Sequence, residues 1–396
     1  ECTELVQNLC KDYGFDETQV IETPGQPSVV AKAFVENEAD NDYPTLLIYG
    51  HYDVQPVDLS EWDTPPFEPD IREGPDGEKR IYARGAGDNK GQWFAHLCAV
   101  KALREIEDIP MNLTLILEGE EESGSPNFQK VVSENKELLD ADVVMVADGP
   151  IDSSGRPHIF LGARGWLNVE INIQGPNRDL HSGLYGGPVP NPAWELVKLL
   201  DTMKDEDGKI AIEDFYYDVQ PVKEKDIEIL NNIPFDLTKT KEDFGIKKLD
   251  DGPGDSYLEK IMYYPTLNIQ GLTSGYQGEG IKTVLPSKSR VKIDMRLVAD
   301  QDPEEIFNKF RKHVGKFTSN KVDFELKRLG GTMKPHLTPL DSPYLESILR
   351  SVKDAWQVEP ILKPVIGGSW PGYVFTDELG LHCFLVPYAN PDEHNH

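Results

Sequence analysis

Apolar residues in the first 160 positions fall into short runs separated by longer amphipathic stretches. The runs at 28–34, 45–49, 112–117 and 143–147 are too short for helices. They are rich in Leu, Ile and Val, as in strands buried on both faces. Between them, residues 89–106 place Trp93, Phe94, Leu97, Cys98, Val100 and Leu103 on a broad face at helical spacing. Residues 128–139 read as a second helix. Strand alternating with helix predicts an α/β domain with a mainly parallel sheet.

The pattern changes at Arg164. In residues 166–173, Leu167, Val169, Ile171 and Ile173 alternate with polar residues, as in a strand with one wet face. A helix is expected over 191–203, with Pro192 in its first turn, where a missing N–H costs nothing. Residues 204–262 are charged and weakly patterned, which predicts helices and loops. Strand 290–297, a helix over 303–314 and strand 321–329 complete a small α+β domain. An amphipathic helix at 344–356 and a buried strand at 383–386 follow. The simplest account joins 1–163 and 339–396 into one domain, with 164–338 inserted into it.

Composition narrows the function. The chain has 396 residues, 38% of them hydrophobic, and shows no low-complexity tract, so it folds. Its net charge of −29 argues against nucleic acid and anionic membrane as partners, because both repel an acidic surface. No apolar run approaches the roughly 18 residues of a membrane span. Cys2, Cys10, Cys98 and Cys383 are scattered without a CxxC pair, which excludes a disulfide framework and a thiolate zinc site and suggests a reducing, cytoplasmic compartment. No signal peptide is visible, and a start without Met suggests a fragment or a processed form. The front also looks short of an opening helix.

Four of the strand-like runs stop before residues that bind metals. Residues 45–49 lead to His51, 112–117 to Glu118, Glu120, Glu121 and Glu122, 143–147 to Asp148, and 383–386 to Asp392, His394 and His396. Ligands of open α/β sheets bind at the carboxyl ends of strands. In His51-Tyr52-Asp53, the imidazole can offer one nitrogen to a metal while the carboxylate takes the proton of the other. An ordinary loop also fits that triplet. In Gly85-Ala86-Gly87-Asp88, the glycines let the backbone bring Asp88 to a helix start, where it can cap the helix or bridge two cations. Adjacent acids from Glu118 to Glu122 repel one another unless cations neutralise some of them.

These motifs resemble, over nearly the whole chain, the two-zinc metallopeptidase family of carboxypeptidases, aminoacylases, acetylornithine deacetylase and succinyl-diaminopimelate desuccinylase. The likeness is greatest to its cytosolic non-specific dipeptidase and carnosine dipeptidase branch. It is carried by Gly50–Pro56, Gly85–Gly91, Glu118–Ser125, Asp179–Gly183 and Lys282–Pro286, leading to Asp294–Leu297. The resemblance implies an α/β zinc-peptidase domain with an inserted lid and dimerisation domain, acting as a homodimer. It implies two zinc ions, with manganese or cobalt as substitutes. Asp88 would bridge them, His51 and Asp148 would complete one site, and Glu122 and His396 the other; His394 is the alternative last ligand. It makes Glu121 the general base, Asp53 the support of His51, and His181 an oxyanion donor to the partner's active site. Arg296, Thr283, Gly368 and Ser369 would hold the substrate, Arg296 by its carboxylate. The substrate expected is a dipeptide or short peptide; the rival is an N-acyl amino acid. A non-catalytic binding protein is a third reading.

Overall fold

The computed structural model describes residues 1–35, 43–75, 77–107 and 109–393. Two compact units emerge. Unit 1 comprises 1–162, 337–364 and 370–396, and unit 2 comprises 163–336 and 365–369.

The centre of unit 1 is four adjacent parallel strands, in the order Asn112–Glu118, Thr45–His51, Val143–Val146 and His382–Leu385. Ser28–Ala33 and then Glu17–Ile21 extend one side, and His158–Ala163 the other, all antiparallel to their neighbours. The sheet is therefore parallel at its core and mixed at its flanks. Thr45–His51 has the next strand of this sheet, Asn112–Glu118, on one side and the one after it, Val143–Val146, on the other. Its carboxyl end is thus a switch point, the place where open sheets leave room for ligands. Register aligns the ends: His51 faces Glu118, and Tyr49 faces Val146.

Packing explains the order. Ile48, Leu115 and Leu117 meet Trp93, Leu97 and Val100 of the helix Gln92–Ile106. That helix starts three residues later than expected, because Ala86–Gly91 forms a separate kinked turn around Asp88. The helix expected over 128–139 ends at Glu134. An eleven-residue helix, Cys2–Asp12, stands where the front looked short, and it buries Val6 and Cys10 in the same core. Tyr49 packs instead against the rings of Phe128 and Phe375, with centroids at 5.2 and 5.6 Å.

Unit 2 is a four-stranded antiparallel sheet, ordered Thr266–Ser274, Lys288–Leu297, Gly165–Gln174 and Asp323–Met333. Strand Gly165–Gln174 alternates buried and half-buried residues throughout. Its inner face packs on the helices Pro192–Asp201 and Pro303–Phe317 through Leu196, Leu199, Ile306, Phe310 and Val314. Both helices begin as the sequence predicts. The Asn191 side chain accepts from the Ala193 N–H at 2.9 Å and that of Asp302 from the Glu304 N–H at 2.7 Å, each with proline in the first turn. The charged stretch after residue 204 forms the short helices Glu224–Asn232, Leu237–Phe244 and Tyr257–Tyr263. Among the described residues no helix is long and apolar enough to cross a membrane.

Candidate metal centre and active site

His51 closes its strand with no exposed surface. Its backbone is placed by the close approach of Asn89: a Cβ at the preceding Gly50 would lie 2.7 Å from the Asn89 amide oxygen. That oxygen accepts the His51 N–H at 3.2 Å, and the Asn89 amide donates to Ala147 O at 2.6 Å. One buried side chain thus ties together two neighbouring strand ends. Asn89 follows Asp88 in the turn that Gly85 opens at φ 80°, a left-handed value that suits glycine.

The turn aims Asp88 at the histidine. His51 Nε2 lies 3.0 Å from Asp88 Oδ1 and 3.7 Å from Asp148 Oδ2. One donor atom from each of these three residues falls within 4.8 Å of the others. On the far side of the ring, His51 Nδ1 lies 3.2 Å from Asp53 Oδ1. Asp53 does more than orient the imidazole. Its two oxygens also accept the backbone N–H groups of Glu121 at 3.2 Å and Glu122 at 3.0 Å. Glu122 is steered in turn by Gln55, whose amide donates to its carboxylate at 2.9 Å.

The electrostatics ask for positive charge. Burial pushes Asp148 up to about 6; His51 opposes this and Asp88 adds to it. Burial likewise holds Glu121 well above the usual carboxylate range; His51 opposes this, and Asp148 and Glu118 add to it. Burial also works against a charged His51, yet its bonds to Asp53 and Asp88 hold the ring well above the usual imidazole range. Carboxylates so enclosed are stabilised by a bound cation. One imidazole with several carboxylate oxygens fits zinc, manganese or cobalt, so these residues suit a divalent metal centre.

Behind the site, Glu118 is 2% exposed and accepts from the Tyr49 hydroxyl at 2.7 Å and the Ser125 hydroxyl at 3.1 Å. It anchors both sides of the loop that carries Glu121 and Glu122, and burial lifts it to about 8. His394 and His396 lie outside the described residues.

The remaining predicted residues belong to unit 2. His181 is exposed, takes the Gly183 N–H on Nδ1 at 3.1 Å, and sets Nε2 at 3.4 Å from the Thr283 hydroxyl. Arg296 donates to the Ser369 hydroxyl at 3.1 Å and lies 3.4 Å from Asp294. Gly368 is exposed beside Ser369. Sequence reasoning missed Asn89 and Gln55 as parts of the site. For Gln55 the available signal was the spacing of two that relates 51, 53 and 55.

The chain is 32% identical to the Cys-Gly metallodipeptidase DUG1 of Candida albicans, over 99% of this chain and 83% of that protein. It is 30% identical to the human Beta-Ala-His dipeptidase, over 89% of this chain and 70% of that one. The solved M20 family metallo-carboxypeptidase Sso-CP2 of Sulfolobus solfataricus superposes with a TM-score of 0.85 at 34% identity, covering 98% of this chain and 85% of that one. Residues 47–396 match the model of peptidase family M20/M25/M40, and the chain belongs to that family of metallopeptidases.

Proposed function

We propose that the chain hydrolyses the amide bond of dipeptides and short peptides. The observation that carries this reading is the convergence of His51, Asp88 and Asp148 beside the enclosed Glu121. The residues that would hold two divalent cations, zinc by preference, are Asp88, shared by both, His51 and Asp148 for one, and Glu122 and His396 for the other. When bound, the ions would supply a water of lowered pKa and polarise the scissile carbonyl.

The chain's own groups do the rest. Glu121, whose raised proton affinity suits a base, takes the proton of the attacking water and passes it to the leaving amine. Asp53 keeps the His51 tautomer and the Glu121 backbone in place at once. The Arg296 guanidinium takes the carboxylate of the substrate, with Ser369, Gly368 and Thr283 beside it. His181 donates to the developing oxyanion from the partner subunit of a homodimer. Unit 2 is the lid and dimerisation domain. Its outer strand Thr266–Ser274 leaves Ile269 and Leu272 half exposed, which supports self-association. Four free cysteines support a cytoplasmic home.

Hydrolysis of a panel of dipeptides and of N-acetyl and N-succinyl amino acids tests the proposal, before and after chelation and with zinc, manganese or cobalt restored. Metal-restored cleavage of the dipeptides is expected. Cleavage confined to the N-acyl amino acids would reassign the chain as a deacylase, and turnover that survives chelation would overturn the metal mechanism.

A further inference from the structure

One buried cation in unit 2 has no place in the scheme above. Arg164 is 7% exposed. Its Nε and one terminal nitrogen grip Gly367 O at 3.0 and 2.7 Å. Its other terminal nitrogen is buried and meets no protein acceptor among the described residues. Gly367 lies two residues before Ser369, the hydroxyl to which Arg296 donates.

The sheet explains why the two guanidiniums share a neighbourhood. Register pairs Arg296 with Trp166 and Leu297 with Gly165. Arg164 stands two residues before Trp166, so Arg164, Trp166 and Arg296 belong to one face, opposite the Leu167 and Met295 of the core. Burial first, and then Arg296, push the Arg164 guanidinium down to about 10. Asp294, on the same face, supplies one negative charge against the two positive ones. One positive charge and one buried N–H donor are left over, which one carboxylate would satisfy.

We propose that Arg164 is the second guanidinium of a carboxylate site in unit 2, positioning the Gly367–Ser369 turn and adding its charge to that of Arg296. The site then selects substrates that end in a free carboxylate over those with a neutral end. This inference rests on the assignment of Arg296 to the substrate carboxylate, and it adds a residue that works through the turn as well as through its charge.

The test compares alanylalanine with alanylalaninamide as substrates of the full-length, metal-loaded protein. Wild type is expected to favour the free acid through KM. Arg164→Gln should raise KM for the acid about tenfold or more and leave KM for the amide and kcat on both unchanged. Arg164→Lys, which keeps the charge and loses the forked grip on Gly367, should raise it by a smaller factor. A thermal melt identifies a variant that fails to fold, and Arg164→Lys then decides alone. Arg296→Gln separates the two readings. Loss of acid preference in Arg296→Gln, with wild-type preference in both Arg164 variants, overturns this inference and leaves the Arg296 assignment standing. No acid preference in wild type overturns the Arg296 assignment and this inference with it; no turnover of either substrate overturns the peptidase reading on which both rest. An equal rise in KM for acid and amide would reduce Arg164 to a structural part.

Discussion

The two units hold their chemistry in opposite ways. In unit 1 the groups hang from parallel strands whose ends are aligned, and burial is the largest influence on Asp148, Glu121 and Glu118. In unit 2, His181 and Thr283 sit exposed on the short strand Leu180–His181 and next to Val284–Leu285, and Arg296 lies half-buried on a sheet face. Enclosure tunes the proton affinity of the first set and suits it to a cation; in the proposed function, exposure lets the second meet a ligand. A hydrolase needs both properties, and here they are assigned to different sheets.

The sharpest way to break this comparison is Glu121→Gln. The amide keeps the shape and loses the base, so kcat should fall about a thousandfold while metal content, measured by atomic absorption, stays near that of wild type. Retained turnover would remove Glu121 from the base role. Asp53→Asn comes next. The amide cannot accept from His51, Glu121 and Glu122 together, since one oxygen becomes a donor facing N–H groups. Metal should be lost to a competing chelator about 10–100-fold more readily. Unchanged retention would show that the two halves of the site are not coupled through Asp53.

The smallest expected effect asks whether burial acts alike in both units. In unit 1, burial pushes His96 and His158 down to about 4; Lys363 adds to this at His158. In unit 2, burial pushes His336 down to about 3. In the unfolded chain each takes up a proton near 6.5. Between 6.5 and the lower value the unfolded state binds more protons, so stability is lost as pH falls through this window and is flat above it. Each group contributes a slope of at most about 1.4 kcal/mol per pH unit. Asp148 and Glu118, raised by burial, act in the opposite direction over the same range, so the histidine contribution is read from the difference between wild type and His96→Asn in denaturant melts from pH 7 to 4.5. His96→Asn should lose less stability than wild type as pH falls; a pH dependence identical to that of wild type would contradict the burial account.

Several elements were legible from local pattern. The four central strands of unit 1 read as short apolar runs because both their faces are covered. Strand Gly165–Gln174 read as alternating because one face packs on helices. The strands Glu17–Ile21 and Thr266–Ser274 were not foreseen. Both lie at sheet edges and bury little, so their burial follows no period of two.

The chain by itself determined which residues could carry the chemistry, because residue type sets ligand and base character, and the residues next to His51, Asp88, Glu121 and Asp148 mark the ends of runs and turns. Only the tertiary structure decided that Thr45–His51 lies between Asn112–Glu118 and Val143–Val146, that Asn89 spans two strand ends, and that Arg164 grips Gly367, 203 residues away. The reason is physical. Strand order and register minimise exposed apolar surface over the whole sheet, and no local window of the chain contains that sum.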